Sequence, residues 1–314
     1  MGDWLKGKVA VVTGAGGGIG RHVVLALAAE GAKVVVNDLG GSSSGAGAST
    51  RAADVVVEEV KKAGGQAASN YDSVSSMEGG ERIIKTALDA FGRLDILVTC
   101  AGILRDRMLF NMEESEWDGV LNTHLKGTFA CVKPASVLFR QQRSGRIITF
   151  TSTSGLYGNT GQANYSSAKA AIYGFTKVIA LDLGRYGVTA NCISPMAGTR
   201  MTLTEEYKAA AAKRKPGSRP DTGIDMDMEK LDPADVAPPV VYLASNQAAN
   251  VNGQVLYVAG PQIALVAHPR PVRAIYKPGV WTVDELVHVA PQMLTFGLVN
   301  PAPPVEAKTQ GIKA

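Results

Sequence analysis

The chain is predicted to be an α/β protein, a doubly wound parallel sheet of about seven strands with helices on both faces. Two patterns predict it. Short, nearly all-apolar runs rich in β-branched residues alternate with longer helix-forming stretches. The first of those runs ends in a glycine-rich turn that opens a helix, TGAGGGIG at 13–20. The 314 residues, 46% hydrophobic and 19% charged, suffice for a sizeable core.

The elements follow in order. KVAVVT (8–13) is the first strand and 18–30 the first helix; AKVVVND (32–38) is the second strand. LGGSSSGAGAST (39–50) is Gly/Ser-rich and reads as a mobile loop before a helix at 51–63. QAASNYD (66–72) is the third strand, 76–91 a helix and LDILVT (94–99) the fourth strand. One long helix is expected over 113–142, then a strand at GRIITFT (145–151), a helix at 163–185 and a strand at GVTANCI (187–193). Residues 203–232 form a polar insertion containing KAAAAKRKPGSR. Asp232 suits an N-cap and Pro233 a first turn, so a helix is expected over 233–245, before the last strand, GQVLYVA (253–259). Residues 1–260 are therefore expected to form a single catalytic domain. Residues 261–314 form an extension whose apolar set, Trp281, Val283, Leu286 and Met293, must pack somewhere, and whose Pro/Ala/Lys tail is expected to be disordered beyond about residue 300.

Composition excludes several classes. The net charge of +4 is modest and spread along the chain, which argues against nucleic acid. Cys100, Cys131 and Cys192 are few and far apart, forming neither a disulfide framework nor a metal cluster, and no metal is expected. Lys6 stands where a myristoylation signal needs Ser or Thr. The start lacks a signal-peptide core, and no apolar run reaches the roughly 18–20 residues of a membrane span. A cytoplasmic protein is expected.

Glycines after the first strand let a backbone approach a pyrophosphate, and the helix that follows presents unpaired N–H groups to it. Ligands of such a sheet bind beyond the carboxyl ends of its strands. Asp38 ends the second strand, where a carboxylate accepts from adenosine ribose hydroxyls and repels a 2′-phosphate. Arg21 speaks for NADP, but Leu39 and no basic residue follows Asp38, so NAD is the expected cofactor. Asp72 ends the third strand and suits either an adenine contact or a helix cap.

Tyr165 and Lys169 are four apart and share a helix face. A neighbouring ammonium, and the positive charge of an oxidised nicotinamide, favour the phenolate, which can remove the proton of an alcohol. Ser152 stands thirteen residues before Tyr165, at a strand's carboxyl end, where it can bond the reacting oxygen. Alone, such a Tyr/Lys pair is ordinarily a helix-surface pair; the glycine turn and the strand-end serine give it meaning.

Together TGAGGGIG, Asp38, TCAG (99–102), Ser152, Tyr165, Lys169 and NCISPMAGTRMT (191–202) resemble the short-chain dehydrogenase/reductase family over about residues 5–260. The resemblance implies a Rossmann-type fold, NAD(P)-dependent chemistry on an alcohol or carbonyl, a proton relay through Lys169 and a homodimer or homotetramer. It also implies that Gly14, Gly18, Ile19, Gly20, Ala101, Gly102, Pro195, Gly198 and Thr199 join Asp38, Asp72, Tyr165 and Lys169 around the cofactor. The family more often has Asn-Asn-Ala-Gly at TCAG, so support of the central strand must differ here, while Gly102 leaves room beside the cofactor.

VVVNDLGG (34–41), SNYDSV (69–74), AGILRDRM (101–108) and GLYGNTGQANYSSAK (155–169) are similar to a narrower group. It comprises the (3R)-hydroxyacyl-CoA dehydrogenase units of peroxisomal multifunctional enzyme type 2 and their bacterial relatives. This implies oxidation of a (3R)-3-hydroxyacyl-CoA to the 3-oxoacyl-CoA in β-oxidation, with the dehydrogenase alone expected here. Another secondary alcohol (a steroid, a cyclic alcohol or an acyl carrier protein thioester) is the alternative, and a cofactor-binding protein without turnover a remoter one. Arg105, Arg107, Ser154 and Tyr157 are candidates for the substrate side, as are Lys208, Lys213, Arg214, Lys215 and Arg219 of the insertion. Arg105-Asp106-Arg107 suits structural salt bridges equally well, and the insertion cluster a solvated helix face.

In GVLNTHLKGTF (119–129), Asn122 and His124 cannot face the same site from one helix. Aligned on Leu125-Lys126-Gly127, His124 takes the place of the family's relay asparagine, whose helix bends so that a main-chain carbonyl holds a water. His124 is expected to face the relay, as brace, proton acceptor or packed structural histidine, and Asn122 the surface.

Overall fold

The computed structural model describes residues 2–47, 49–199, 202–203 and 228–302. Most of the insertion, including Lys208, Lys213, Arg214, Lys215 and Arg219, and the tail from residue 303 lie outside the described residues.

The strands are β1 (Val9–Thr13), β2 (Lys33–Asn37), β3 (Gln66–Asn70), β4 (Ile96–Thr99), β5 (Gly145–Phe150), β6 (Val188–Met196), β7 (Val255–Ala259) and β8 (Gln262–Leu265). They form one eight-stranded sheet, ordered β3-β2-β1-β4-β5-β6-β7-β8. All pairings are parallel except β7 with β8. The helices are α1 (Gly18–Ala29), α2 (Arg51–Lys62), α3 (Met77–Phe91), α4 (Glu114–Leu121), α5 (Gly127–Gln142), α6 (Thr153–Tyr157), α7 (Ala163–Gly184), α8 (Ala237–Ala244) and α9 (Val283–Met293).

All five residues of β1 are buried, so its side chains feed two cores. Ala10 and Val12 pack with α1, α2 and α8 residues such as Val23, Val56 and Val240. Val9 and Val11 pack on the other face with Ile83, Cys131 and Ile179 of α3, α5 and α7. The period of two along a strand covered on both faces is why these runs are apolar throughout. Strand order reverses between β1 and β4, and the crevice beyond their carboxyl ends is where such sheets take ligands.

Three expectations change. The sheet has an eighth strand: Gly260, at φ +56, and Pro261 turn the chain so that Ala259 faces Gln262 in an antiparallel edge pair. Residues assigned to the extension from sequence alone thus finish the sheet. The 113–142 helix is interrupted by a π turn at Asn122–Lys126. The stretch at 233–245 opens as a 3-10 turn, Pro233–Val236, capped by Asp232, before α8 begins. From the 39–50 segment, Ser43 O accepts from Leu104 N–H at 3.0 Å and Ser44 O from Arg105 Nε at 3.1 Å.

The chain divides into two compact units after Val266. In the second, Thr282 and Glu285 form a capping box at the start of α9. Lys277 pairs with Glu285 and stands over the Trp281 ring, and Arg273 lies over Phe296.

Candidate active site

The glycine turn is built by close approach. Gly14 has φ +65, and a Cβ there would lie 2.6 Å from Ala101 Cα, so the turn rests directly on the start of the segment after β4. A Cβ on Gly20 would meet Gly14 O at 2.2 Å. Ile19 packs against the core below. Gly18, at φ +51, has only Thr199 within 4 Å of where its Cβ would be, which leaves the space above it open. Helix α1 has no side-chain cap and no acidic residue in its first turn. Its free N–H groups and positive dipole end are suited to a pyrophosphate. Asp38 closes one side: its carboxylate accepts from Gly16 N at 2.7 Å and Gly40 N at 2.6 Å. Each oxygen keeps lone pairs for a ribose hydroxyl. Arg21, the residue that argued for NADP, is paired with Glu59 at 2.8 Å. These residues fit a dinucleotide.

Asp72 is engaged elsewhere. Arg82 Nε and Asn70 Nδ2 donate to its two oxygens at 2.6 and 2.9 Å, so it holds α3 to the end of β3. On the other side of the crevice Gly198 N–H donates to Leu231 O at 2.7 Å and Thr199 N–H to Thr202 Oγ1 at 2.7 Å. Pro195, in register with Val258, carries β6 toward that turn.

Ser152, Ser154, Tyr165 and Lys169 come together where α6 meets α7. A Cβ on Gly155 would lie 2.6 Å from Lys169 Cβ, so glycine there lets Ser152 and Ser154 come beside Tyr165 and Lys169. Ser152 Oγ accepts from Ser154 N–H at 3.1 Å, and as a polar neighbour of the Tyr165 phenol it favours the phenolate. Lys169 Nζ lies 5.6 Å from the Tyr165 ring centre and donates to Phe150 O at 2.8 Å. Burial lowers the Lys169 ammonium to about 8. Burial also pushes the Tyr165 phenol up to about 12, against the Ser152 contact, so the ammonium alone does not create a phenolate.

His124 is buried, 2% exposed, while Asn122 faces out. The π turn makes the difference: Gly127 N–H reaches back to Asn122 O, and Thr123 Oγ1 donates to Gly119 O at 2.9 Å. The imidazole stands edge-on to Tyr165, centroids 5.2 Å apart. Its Nε2 lies 3.0 Å from Ile103 N and 2.8 Å from Ile103 O. The room left by Gly102 belongs to this ring rather than to the cofactor, since a Cβ there would be 2.3 Å from His124 Cε1. Burial, with the nearby Lys169 charge, lowers His124 to about 3, so the ring is neutral near pH 7, and its contacts with Ile103 brace the loop after β4. Its carbonyl accepts from Thr128 Oγ1 at 2.7 Å.

A pH dependence follows. The unfolded histidine takes a proton below about 6.5 and the folded one only near 3, so stability is full above about 6.5 and falls as pH drops between the two. His124→Asn is expected to flatten the curve of unfolding free energy, from urea titrations, against pH over that window, by up to about 1.4 kcal/mol per pH unit. An unchanged slope would mean that His124 is protonated when folded.

The arginines expected near substrate are spoken for. Arg105 Nη1 donates to Ser115 O at 2.9 Å, and Arg107 pairs with Glu116 at 2.8 Å. Ser154 sits beside the reacting group and Tyr157, 69% exposed, marks its rim. Sequence reading missed Asn164. It is fully buried and donates to the carbonyls of Arg105 and Glu116 at 2.9 and 3.0 Å, fixing the loop after β4 and α4 to α7. The signal was there: Asn164 is a polar residue in the stripe continued by Ala168 and Ile172. Thr13 Oγ1 accepts from Ala101 N at 3.2 Å, a bond that supports the central strand where TCAG lacks asparagines. Burial raises the Cys100, Cys131 and Cys192 thiols to about 11, 12 and 11, so these free cysteines stay protonated. Among the described residues no cluster suits a metal, and no helix is long and apolar enough to cross a membrane.

A crevice that fits a dinucleotide beside a serine, a tyrosine and a lysine defines an oxidoreductase of the nicotinamide-dependent kind. The family model described as short chain dehydrogenase matches residues 8–211, and the chain belongs to that family. It is 41% identical over 295 residues to the hydroxyacyl-CoA dehydrogenase ChsB1 of Mycobacterium tuberculosis, covering 90% of this chain and 87% of that protein. It is 45% identical over 254 residues to the peroxisomal multifunctional enzyme type 2 of Drosophila melanogaster, covering 81% of this chain and 39% of that one. The crystal structure of a short chain dehydrogenase from Mycobacterium avium superposes with a TM-score of 0.79 at 39% identity, over 97% of this chain and 100% of that one.

Proposed function

We propose that the protein oxidises a (3R)-3-hydroxyacyl-CoA to the 3-oxoacyl-CoA with NAD, in the β-oxidation of fatty or sterol side-chain acyl groups. The observation that carries this reading is the 41% identity to a named hydroxyacyl-CoA dehydrogenase across nearly the whole of both chains. NAD is favoured by Asp38 at the ribose end and by the pairing of Arg21 with Glu59.

When bound, the oxidised nicotinamide supplies the hydride acceptor and a positive charge near the phenol. Tyr165 takes the hydroxyl proton of the substrate, as phenolate, while Ser152 holds the same oxygen. Lys169, half-way to neutrality near pH 8, lowers the cost of that phenolate and can pass the proton onward. Gly14, Gly18, Gly20 and the start of α1 are assigned to the pyrophosphate, and Ala101, Pro195, Gly198 and Thr199 to the nicotinamide half. His124 acts through Ile103 as a positioning residue. Arg105 and Arg107 are withdrawn as phosphate ligands because their guanidinium groups serve the chain itself.

Exposed apolar residues on α5 and α7, Phe129, Val137, Val178 and Leu181, support association of copies as a homodimer or homotetramer. Free thiols fit a reducing compartment such as the cytoplasm. The test is NADH formation on a panel of (3R)- and (3S)-hydroxyacyl-CoAs, hydroxysteroids and free alcohols. Turnover of (3R)-thioesters is expected; rapid oxidation of a free alcohol with none of the thioesters would overturn the assignment.

A further inference from the structure

The Gln162 amide, three residues before Tyr165, joins three segments that the catalytic chemistry does not otherwise connect. Its Nε2 donates to Asp106 Oδ2 at 2.7 Å, on the loop after β4. Its Oε1 accepts from Ser154 Oγ at 2.8 Å and from Asn159 Nδ2 at 3.0 Å. Next to it, Arg107 N–H donates to Gly161 O at 2.8 Å, so loop and helix start are tied by main chain as well.

The direction of every bond follows from one charge. An ionised carboxylate only accepts, so Asp106 turns the NH2 of Gln162 toward itself. The amide oxygen then faces Ser154, and the Ser154 hydroxyl spends its only proton on it. Toward the substrate, Ser154 is left with lone pairs alone. Its N–H meanwhile donates to Ser152 Oγ, so the group fixed by Asp106 adjoins the serine that holds the reacting oxygen.

We propose that Asp106 and Gln162 are positioning residues that set Ser154 as a hydrogen-bond acceptor toward the substrate and place a negative charge opposing Lys169 at Tyr165. This rests on Ser152, Tyr165 and Lys169 being the reacting group. The groups facing Tyr165 are Lys169 on its own helix, Ser152 at the end of β5, His124 on the π turn, Cys100 after β4 and Asp106 on the loop beyond. Cys100 is held protonated and His124 neutral, so Lys169 and Asp106 are the two charges among them, of opposite sign. Asp106 reaches the site through the bonded chain Gln162, Ser154 and Ser152; burial pushes its carboxyl up, the Gln162 bond holds it down, and its charge raises the Tyr165 phenol.

Two variants separate positioning from mere support. Asp106→Asn keeps the size of the side chain but loses the charge and the constraint on the amide. Gln162→Ala breaks the bridge and leaves the charge. Phenol ionisation is followed by ultraviolet difference titration with the preferred cofactor saturating, against Tyr165→Phe as blank. Asp106→Asn is expected to move the Tyr165 midpoint down by about one pH unit. Gln162→Ala is expected to leave that midpoint near the wild type and raise KM about tenfold, the effect of one hydrogen bond to the site. Folding of both is checked by circular dichroism. If Asp106→Asn leaves the midpoint in place, or Gln162→Ala leaves KM in place, the proposal is overturned. The optical arm needs no turnover, and KM is measured on whichever secondary alcohol the wild type oxidises. A wrong acyl-CoA assignment therefore shows as a different substrate, and a wrong positioning role as an unmoved midpoint.

Discussion

Tyr165→Phe is expected to lower kcat for alcohol oxidation by about 10³-fold, while the dissociation constant of the cofactor stays within about twofold of the wild type. The variant removes one oxygen atom from a ring that otherwise keeps its place against His124 and α7. What is lost, on the proposed role, is the group that takes the substrate proton, together with the polar contact with Ser152. The binding surfaces for the dinucleotide, the glycine turn and Asp38, lie on other elements. Cofactor affinity is read by fluorescence titration and kcat by NADH absorbance. A large loss of cofactor binding, or turnover close to the wild type, would each show that Tyr165 is structural.

Asp38→Asn is expected to narrow the preference for NAD over NADP by about ten- to a hundredfold, read as the ratio of kcat/KM for the two cofactors. Asparagine keeps the side-chain volume and one acceptor for the Gly16 or Gly40 N–H, so the turn is preserved. It loses the charge that repels a 2′-phosphate and the stronger acceptor for ribose hydroxyls. Because Arg21 is tied to Glu59, no cation stands ready to bind the phosphate, and full reversal to NADP is not expected. A ratio unchanged from the wild type would remove Asp38 from cofactor selection.

Much of the fold was legible because it depends on local patterns. A strand buried on both faces must be apolar at every position, and VAVVT is. The glycine turn was readable because its constraint, a positive φ at Gly14 and no room for a Cβ at Gly20, acts over a few residues. The Tyr165–Lys169 pair follows from helix geometry. β8 was not readable, since a four-residue edge strand with none of its residues buried carries little periodicity. At Asn122–Lys126 the resemblance implied a bend, but its form as a π turn was not readable, because such a turn uses the same helix formers as its neighbours.

The amino-acid sequence by itself determined the family and the doubly wound sheet, and it singled out Ser152, Tyr165, Lys169 and Asp38 as candidates, because each is specified by neighbours within one strand, turn or helix. Only the tertiary structure decided what Arg105, Asp72, Gly102, His124 and Gln162 do. Arg105 spends its donors on two carbonyls, Asp72 is held by Arg82, and Gly102 makes room for an imidazole twenty-two positions along the chain. Such roles depend on which partner occupies the space, and that partner is distant in sequence. For His124 the packing set the chemistry too, since burial keeps the ring neutral where exposure to water would let it titrate near neutrality.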